Sequence, residues 1–238
     1  MLQTAQYTDI GGRSCNEDFV HQCASGGSLL VVVADGLGGH GGGDRASETV
    51  CRTVCDGFTG SVAPAMLESL LQTAHTAVTE MQTAQCSMKS TAVVLALGGG
   101  HSAWAHVGDS RLYHFYAGKR VFQTRDHSAS QIAVMMGEIT VDQIRFHEDR
   151  NRVLRALGQD GILKVETKEE PLEPGDHAYL LCTDGFWEYV TEEEMEEDLH
   201  LAADSEDWLS RMRGRIAQRA APDHDNHTAA AVWLTYRK

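Results

Sequence analysis

The sequence is short of proline, of cations and of long apolar runs, and each shortage removes a class of protein. Only four of its 238 residues are proline. No stretch is rich enough in Pro, Ser or charge to read as a linker, so a single unit over residues 1–238 is the simplest division. The longest apolar stretches, residues 29–34 and 92–97, reach about one-third of the ~20 residues a membrane-spanning helix needs, so no membrane partner is expected. The opening segment has no early Lys or Arg and no apolar core of the kind a secretory leader carries, and a cytoplasmic location is expected. Lys and Arg number 20 against 34 Asp and Glu, a formal net charge of −14. Nucleic-acid affinity rests on cation-to-phosphate contacts, so no nucleic-acid partner is expected either. The six cysteines (Cys15, Cys23, Cys51, Cys55, Cys86, Cys182) include no C-x-x-C pair. A chain of this length needs no disulfide to build a core, and they read as reduced thiols.

What is present is an ordinary globular balance, 42% hydrophobic and 23% charged, sufficient for a sizeable core. Short apolar or alternating segments at 29–34, 91–97, 104–107, 112–115, 178–182 and 229–234 read as strands, with tight turns at 98–100 and 117–119 that favour antiparallel meanders. Ala46, Val50, Val54 and Phe58 recur every four residues behind a candidate Asp44 cap, and Leu67, Leu70, Leu71, Ala74, Val78 and Met81 share one helical stripe. Thr191 and Glu194 have capping-box spacing, and Trp208, Leu209, Met212 and Ile216 form another stripe. Strand blocks alternating with helix pairs predict an α+β fold, two antiparallel sheets face to face with helices outside. Residues 128–156 carry a short apolar segment, a second capping-box pair at Thr140 and Gln143, and an Arg/His/Asp cluster. They read equally as a mobile insert and as an ordinary connecting helix pair.

Three times an apolar strand ends at, or begins after, an aspartate paired with Gly or Asn: Asp35-Gly36, Asp184-Gly185 and Asp225-Asn226. One Asp-Gly after a strand is most often a turn. Three at strand ends can converge, and carboxylates about 4 Å apart repel by about 4 kcal/mol at an effective dielectric of 20, so they must take up protons or share a cation. The cation is the favoured reading. A set of hard oxygens with no Cys or His at zinc spacing suits Mg²⁺ or Mn²⁺, although His224 and His227 flank Asp225 and leave a mixed site open.

Eight motifs run along nearly the whole chain: Arg13-x-x-Asn16-Glu17-Asp18, Asp35-Gly36-Leu37-Gly38-Gly39-His40, Ser90-Thr91, Gly108-Asp109-Ser110-Arg111, Asp126-His127-Ser128, Arg155-Ala156-Leu157-Gly158, Thr183-Asp184-Gly185-Phe186-Trp187 and Asp225-Asn226-x-Thr228. In this order they resemble the type-2C metal-dependent serine/threonine protein phosphatases in their compact bacterial form. The resemblance implies a four-layer α-β-β-α sandwich with a flap at about 128–156. It implies two Mn²⁺ or Mg²⁺ ions, bridged by Asp35, with the Gly36 carbonyl on one and Asp184 and Asp225 completing the other. Asp18 would hold metal-bound waters with Glu17 near them, Arg13 would bind the substrate phosphate, and Asp109 would help hold a third, weaker ion.

The activity implied is hydrolysis of phosphoserine and phosphothreonine in proteins by in-line attack of a metal-bridging water. The implied partners are phosphorylated proteins and the Ser/Thr kinase whose work is reversed, and a monomer is expected. The cysteine route fails by inspection, because no cysteine is followed six positions later by Arg. Three departures stand out: Leu37 where animal-type members place a histidine, which leaves the general acid open between His40 and a metal-bound water; Lys89 where Gly is usual; and Asp44 for Glu. The rival functions are an inactive binding module with the same fold and a small-molecule phosphomonoesterase with the same metal site.

Overall fold

Residues Leu30 to Ala34 show no polar alternation because both faces of their strand are covered. In the computed structural model, which describes residues 2–38 and 41–237, this run lies in β3 (Ser28–Leu37). The order along the chain is β1 (Leu2–Asp9), β2 (Asp18–Ser25), β3, α1 (Gly43–Asp56), α2 (Pro64–Met81), β4 (Lys89–Ser90), β5 (Ala92–Gly98), β6 (His101–Val107), β7 (Arg111–Tyr116) and β8 (Lys119–Gln123). There follow α3 (Ala129–Met135), a 3₁₀ helix (Val141–Phe146), β9 (Glu166–Pro171), β10 (Gly175–Cys182), α4 (Asp184–Trp187), α5 (Glu192–Leu201), α6 (Ser205–Arg219) and β11 (His227–Tyr236). The strands form two antiparallel sheets, β1-β11-β10-β7-β8 and β2-β3-β5-β6-β9, with β4 paired to β3.

Side chains on a strand alternate between faces, and here each face meets a different apolar layer. Val31, Val33, Val93, Leu95, Leu181 and Val232 interdigitate between the sheets. Leu30, Val32 and Val94 pack outward on Val50, Val54, Leu67, Leu71 and Val78 of α1 and α2. Phe115, Leu180 and Ala231 pack outward on Trp208, Leu209, Met212 and Ile216 of α6. The four-layer α-β-β-α arrangement is the expected one. Among the described residues no helix is long and apolar enough to cross a membrane.

The six strands legible in the sequence are β3, β5 and β6 of one sheet and β7, β10 and β11 of the other, the interior strands. Of the five it does not reveal, β1, β2, β8 and β9 are the outer strands of the two sheets, and β4 is a two-residue strand paired to β3. An outer strand needs little apolar content, and charge there discourages pairing with other chains: β9 reads ETKEEP and is mostly exposed. The Asp44 cap is a correction. Helix α1 is capped by Gly42 at φ +96°, without a side-chain bond, and Asp44 lies in the first turn, where its charge complements the helix N-terminus. A Cβ at Gly42 would stand 2.8 Å from Cys86 Sγ, so a glycine sets the entry to the helix. The Thr191–Glu194 and Thr140–Gln143 capping boxes both form.

Residues 128–156 fold as α3 and the 3₁₀ helix, rooted by the Ser128–Val153 bridge. Arg145 ties them to α4 and α5 by donating to the carbonyl oxygens of Trp187 (2.5 Å) and Val190 (3.2 Å) and to Glu192 (2.6 Å). Arg150 adds a bond to Glu188 at 2.9 Å. Truncating a side chain of the α2 layer tests the packing: Leu71→Ala should cost about 2–5 kcal/mol in chemical denaturation through cavity formation. A cost below about 1 kcal/mol would contradict this layer assignment.

Candidate metal centre

Two antiparallel pairs deliver their carboxylates to the same end of the sandwich. Asp18 opens β2 and stands opposite Asp35 in the β2–β3 register, a like-charge pairing that opposes strand association. Asp184 follows β10 and Asp225 precedes β11, its neighbour. Thr183 stitches the sheets together, donating from Oγ1 to Asp18 Oδ2 at 2.8 Å while its oxygen accepts the Thr228 N–H at 3.0 Å. Asn226 holds the first loop: its Oδ1 accepts from Glu17 N at 2.8 Å, and its Nδ2 donates to the carbonyl oxygens of Ile10 (2.7 Å) and Cys15 (3.0 Å).

Asp35 has its backbone occupied. Its N–H donates to Thr91 Oγ1 at 3.0 Å, and its carbonyl accepts from Thr91 N at 2.8 Å and Ser90 Oγ at 3.0 Å. The carboxylate is left for the cleft, a cavity of about 800 Å³ lined by Asp35, Gly36, Asp184, Asp225, Glu17 and Arg13. Gly36 admits no side chain, because a Cβ would lie 2.0 Å from the Gly43 carbonyl oxygen at the start of α1. Asn151, Arg152 and Val153 bring the 128–156 insert to the same cleft.

The electrostatics follow from crowding acids out of water. Burial, then the charges of Asp184, Asp18, Asp109 and Asp225, push the Asp35 carboxyl well above the usual range. Asp184 is raised in the same way, by burial and then Asp109. Burial lifts Asp18 to about 7. Glu17 is raised by burial and by Asp44. Arg13, half exposed, donates to Asp225 Oδ2 at 2.9 Å.

Asp109 stands apart from the cleft lining. It is 1% exposed, neither carboxylate oxygen has a hydrogen-bond partner among the described residues, and burial and Asp126 raise it to about 7. Its carbonyl accepts from Trp187 Nε1 at 3.0 Å. Leu37 and Lys89 both line the cleft and face each other in the β3–β4 ladder, so Lys89 sits in regular strand. His40 lies outside the described residues. Thr183 and Asn226 carry no role in the sequence reading, although both belong to its motifs. Each acts on a partner far away in the chain, which no local spacing reveals.

Oxygen donors alone, unsatisfied at Asp109 and mutually repelling around a wet cleft, fit hard divalent cations. The aspartates stand wider apart than one ion's direct ligands. Among the described residues, the trio with ligand atoms within 4.8 Å of one another is His106, His127 and Glu166. The wider spacing leaves room for water, which Mg²⁺ usually retains in its coordination sphere.

Comparison with known proteins places residues 6–227 in a match to Protein phosphatase 2C. The chain is 33% identical over 180 residues to the serine/threonine phosphatase stp of Listeria innocua, 71% of each chain. Its fold superposes on the Mycobacterium tuberculosis serine/threonine phosphatase PstP/Ppp with a TM-score of 0.84, 27% identity and 99% coverage of each chain. The catalytic domain of PstP in complex with two manganese ions gives 0.81 and 26%, with 97% of each chain covered.

The raised carboxylates fix the sign of a stability effect. A folded-state value near 7 for Asp18, against about 3.9 unfolded, means the native state holds its proton more tightly. That contribution is full below the unfolded value and is lost as pH rises through about 7. Metal-free Asp18→Asn, which keeps an oxygen for Thr183, should therefore be more stable than wild type at pH 8 by on the order of 2 kcal/mol. The gap should narrow toward pH 4 in calorimetry with chelator. A variant that melts lower than wild type at pH 8 would contradict the repulsion.

Proposed function

The chain belongs to the protein phosphatase 2C family, and on that premise we propose that the carboxylate cleft is the active site of a metal-dependent protein serine/threonine phosphatase. The observation that carries this is the convergence of Asp18, Asp35, Asp184 and Asp225 from both sheets beside a half-exposed arginine. Asp35, the Gly36 carbonyl, Asp184 and Asp225 would hold two Mn²⁺ or Mg²⁺ ions, Asp18 would act through water, and Asp109 would serve a third, weaker ion. When bound, such ions neutralise a phosphate dianion and acidify water near neutral pH.

The chain's own residues supply binding and orientation. Arg13 pairs with Asp225 on a half-exposed side chain, and its guanidinium would clamp two nonbridging phosphate oxygens in a bidentate geometry that Lys cannot match. Thr183 fixes one Asp18 oxygen, so the carboxylate presents the other in a set direction to accept a proton from water. The substrates are phosphoproteins made by a Ser/Thr kinase, and the enzyme acts as a cytoplasmic monomer with residues 1–238 as one catalytic unit. An inert binding module has no use for carboxylates whose repulsion opposes folding.

Hydrolysis of an aryl phosphate and of phosphothreonine peptides should require added Mn²⁺ or Mg²⁺, and undiminished turnover after thorough chelation would falsify the metal chemistry. A marked preference for phosphorylated metabolites over phosphopeptides would move the assignment to a small-molecule phosphatase.

Arg13→Ala should lower kcat/KM for phosphopeptides by about 1.5–3 kcal/mol, the worth of a charge-assisted hydrogen bond. It should leave the metal requirement unchanged or smaller, since Asp225 loses its competitor. Unaltered kinetics would make Arg13 structural.

A further inference from the structure

Beneath the cleft, buried groups that this chemistry leaves unused gather on the Gly108–Asp109 turn. Gly108 has φ +104°, and a Cβ there would stand 2.6 Å from Thr91 Cγ2. His127 holds the turn twice. Its backbone N–H donates to the Gly108 carbonyl at 2.8 Å, and its ring Nδ1 accepts the Gly108 N–H at 3.1 Å. Asp109, next in the chain, has no hydrogen bond on its carboxylate among the described residues, so its aim depends on the main chain before it. After burial, the Asp109 charge does most to raise the Asp184 carboxyl.

A ring nitrogen that accepts an N–H carries a lone pair, so neutral His127 keeps its proton on Nε2. Glu166 Oε1 lies 3.1 Å from that Nε2, outside hydrogen-bond geometry but close enough for its negative charge to favour a proton there. Burial and the neighbouring His106 hold His127 down to about 4, which keeps the ring neutral near pH 7. The His106 ring stacks on it at 4.7 Å and 9°, its own Nε2 engaged with the Arg125 carbonyl at 2.8 Å. These three side chains have the spacing of a metal trio, yet the tautomer opposes one. A cation on His127 Nε2 would drive the proton to Nδ1, directly against the Gly108 N–H.

We infer that His127, in the tautomer selected by Glu166, is a positioning residue that fixes the Gly108–Asp109 turn and so aims Asp109 at the metal cluster. This rests on the proposed role of Asp109. Mutating groups that orient metal ligands typically weakens metal affinity 10–100-fold.

The test is the Mn²⁺ dissociation constant from calorimetric titration of the protein without substrate, read beside the Mn²⁺ concentration for half-maximal hydrolysis of an aryl phosphate. His127→Gln, whose polar atoms fall near the Nε2 position, should raise it about tenfold. His127→Asn, whose Oδ1 falls near the Nδ1 position, should restore the wild-type requirement. Glu166→Leu, at a half-exposed side chain, should shift it in the same direction as Gln and decides the matter if His127→Gln does not fold.

Equal behaviour of the folded Asn and Gln variants, or an unshifted Glu166→Leu, would overturn the inference. In an Asp109→Ala background, His127→Gln should add no further shift. If Asp109→Ala alone leaves the metal response unchanged, the Asp109 reading fails. If Asp109→Ala shifts it and His127→Gln does not, only the His127 inference fails.

Discussion

Asp18 and Asp35 face each other across the β2–β3 ladder, with Asp184, Asp225 and Asp109 close enough to raise Asp35 further. Repulsion among buried like charges works against a domain's net stability of only about 5–15 kcal/mol. The fold must hold together a cluster that pushes itself apart. It does so with three apolar layers away from the cluster and with neutral hydrogen bonds at it. Thr183, Thr91, Ser90 and Asn226 fix backbone and side-chain positions, and none of them neutralises the carboxylates. That task is left to a ligand, which is why strain and function coincide here.

The one cation in direct contact with the cleft aspartates among the described residues is Arg13, on Asp225. This pairing gives the cleft an internal counter-charge on a half-exposed side chain. The same arginine is the one proposed above to meet the substrate phosphate, so its pairing with Asp225 bears on both charges.

A second node connects the 128–156 insert to the interior. Arg111 makes a bidentate pair with Asp126 at 2.8 and 2.7 Å, and its guanidinium lies 3.5 Å over the Trp187 ring. The Trp187 indole donates to the Asp109 carbonyl, and its own carbonyl accepts from Arg145 of the insert. Contacts made by the insert are thus two bonds from Asp109. The buried Arg111–Asp126 pair is neutral as a unit, so it can sit beside the acidic cluster without adding net charge to it.

The sequence by itself determined the interior of the fold. Six strands and the helix stripes were legible because interior strands and helix faces must be apolar; Asp184-Gly185 follows β10 and Asp225-Asn226 precedes β11, whereas β3 continues through Asp35-Gly36 to Leu37. The outer strands β1, β2, β8 and β9 were not legible, since one unpaired side relaxes the demand for apolar residues. Nor was the Gly42 cap, which answers to the approach of Cys86, 44 residues further along. For the site, residue type and motif order brought Asp35, Gly36, Asp184 and Asp225 into one cleft. The depth of Asp109, the Arg13–Asp225 pair, the Thr183 stitch and the His127 grip on Gly108 were decided only in the folded molecule. Each joins residues distant in the chain, and such a contact depends on how two sheets register and pack, which no local spacing encodes.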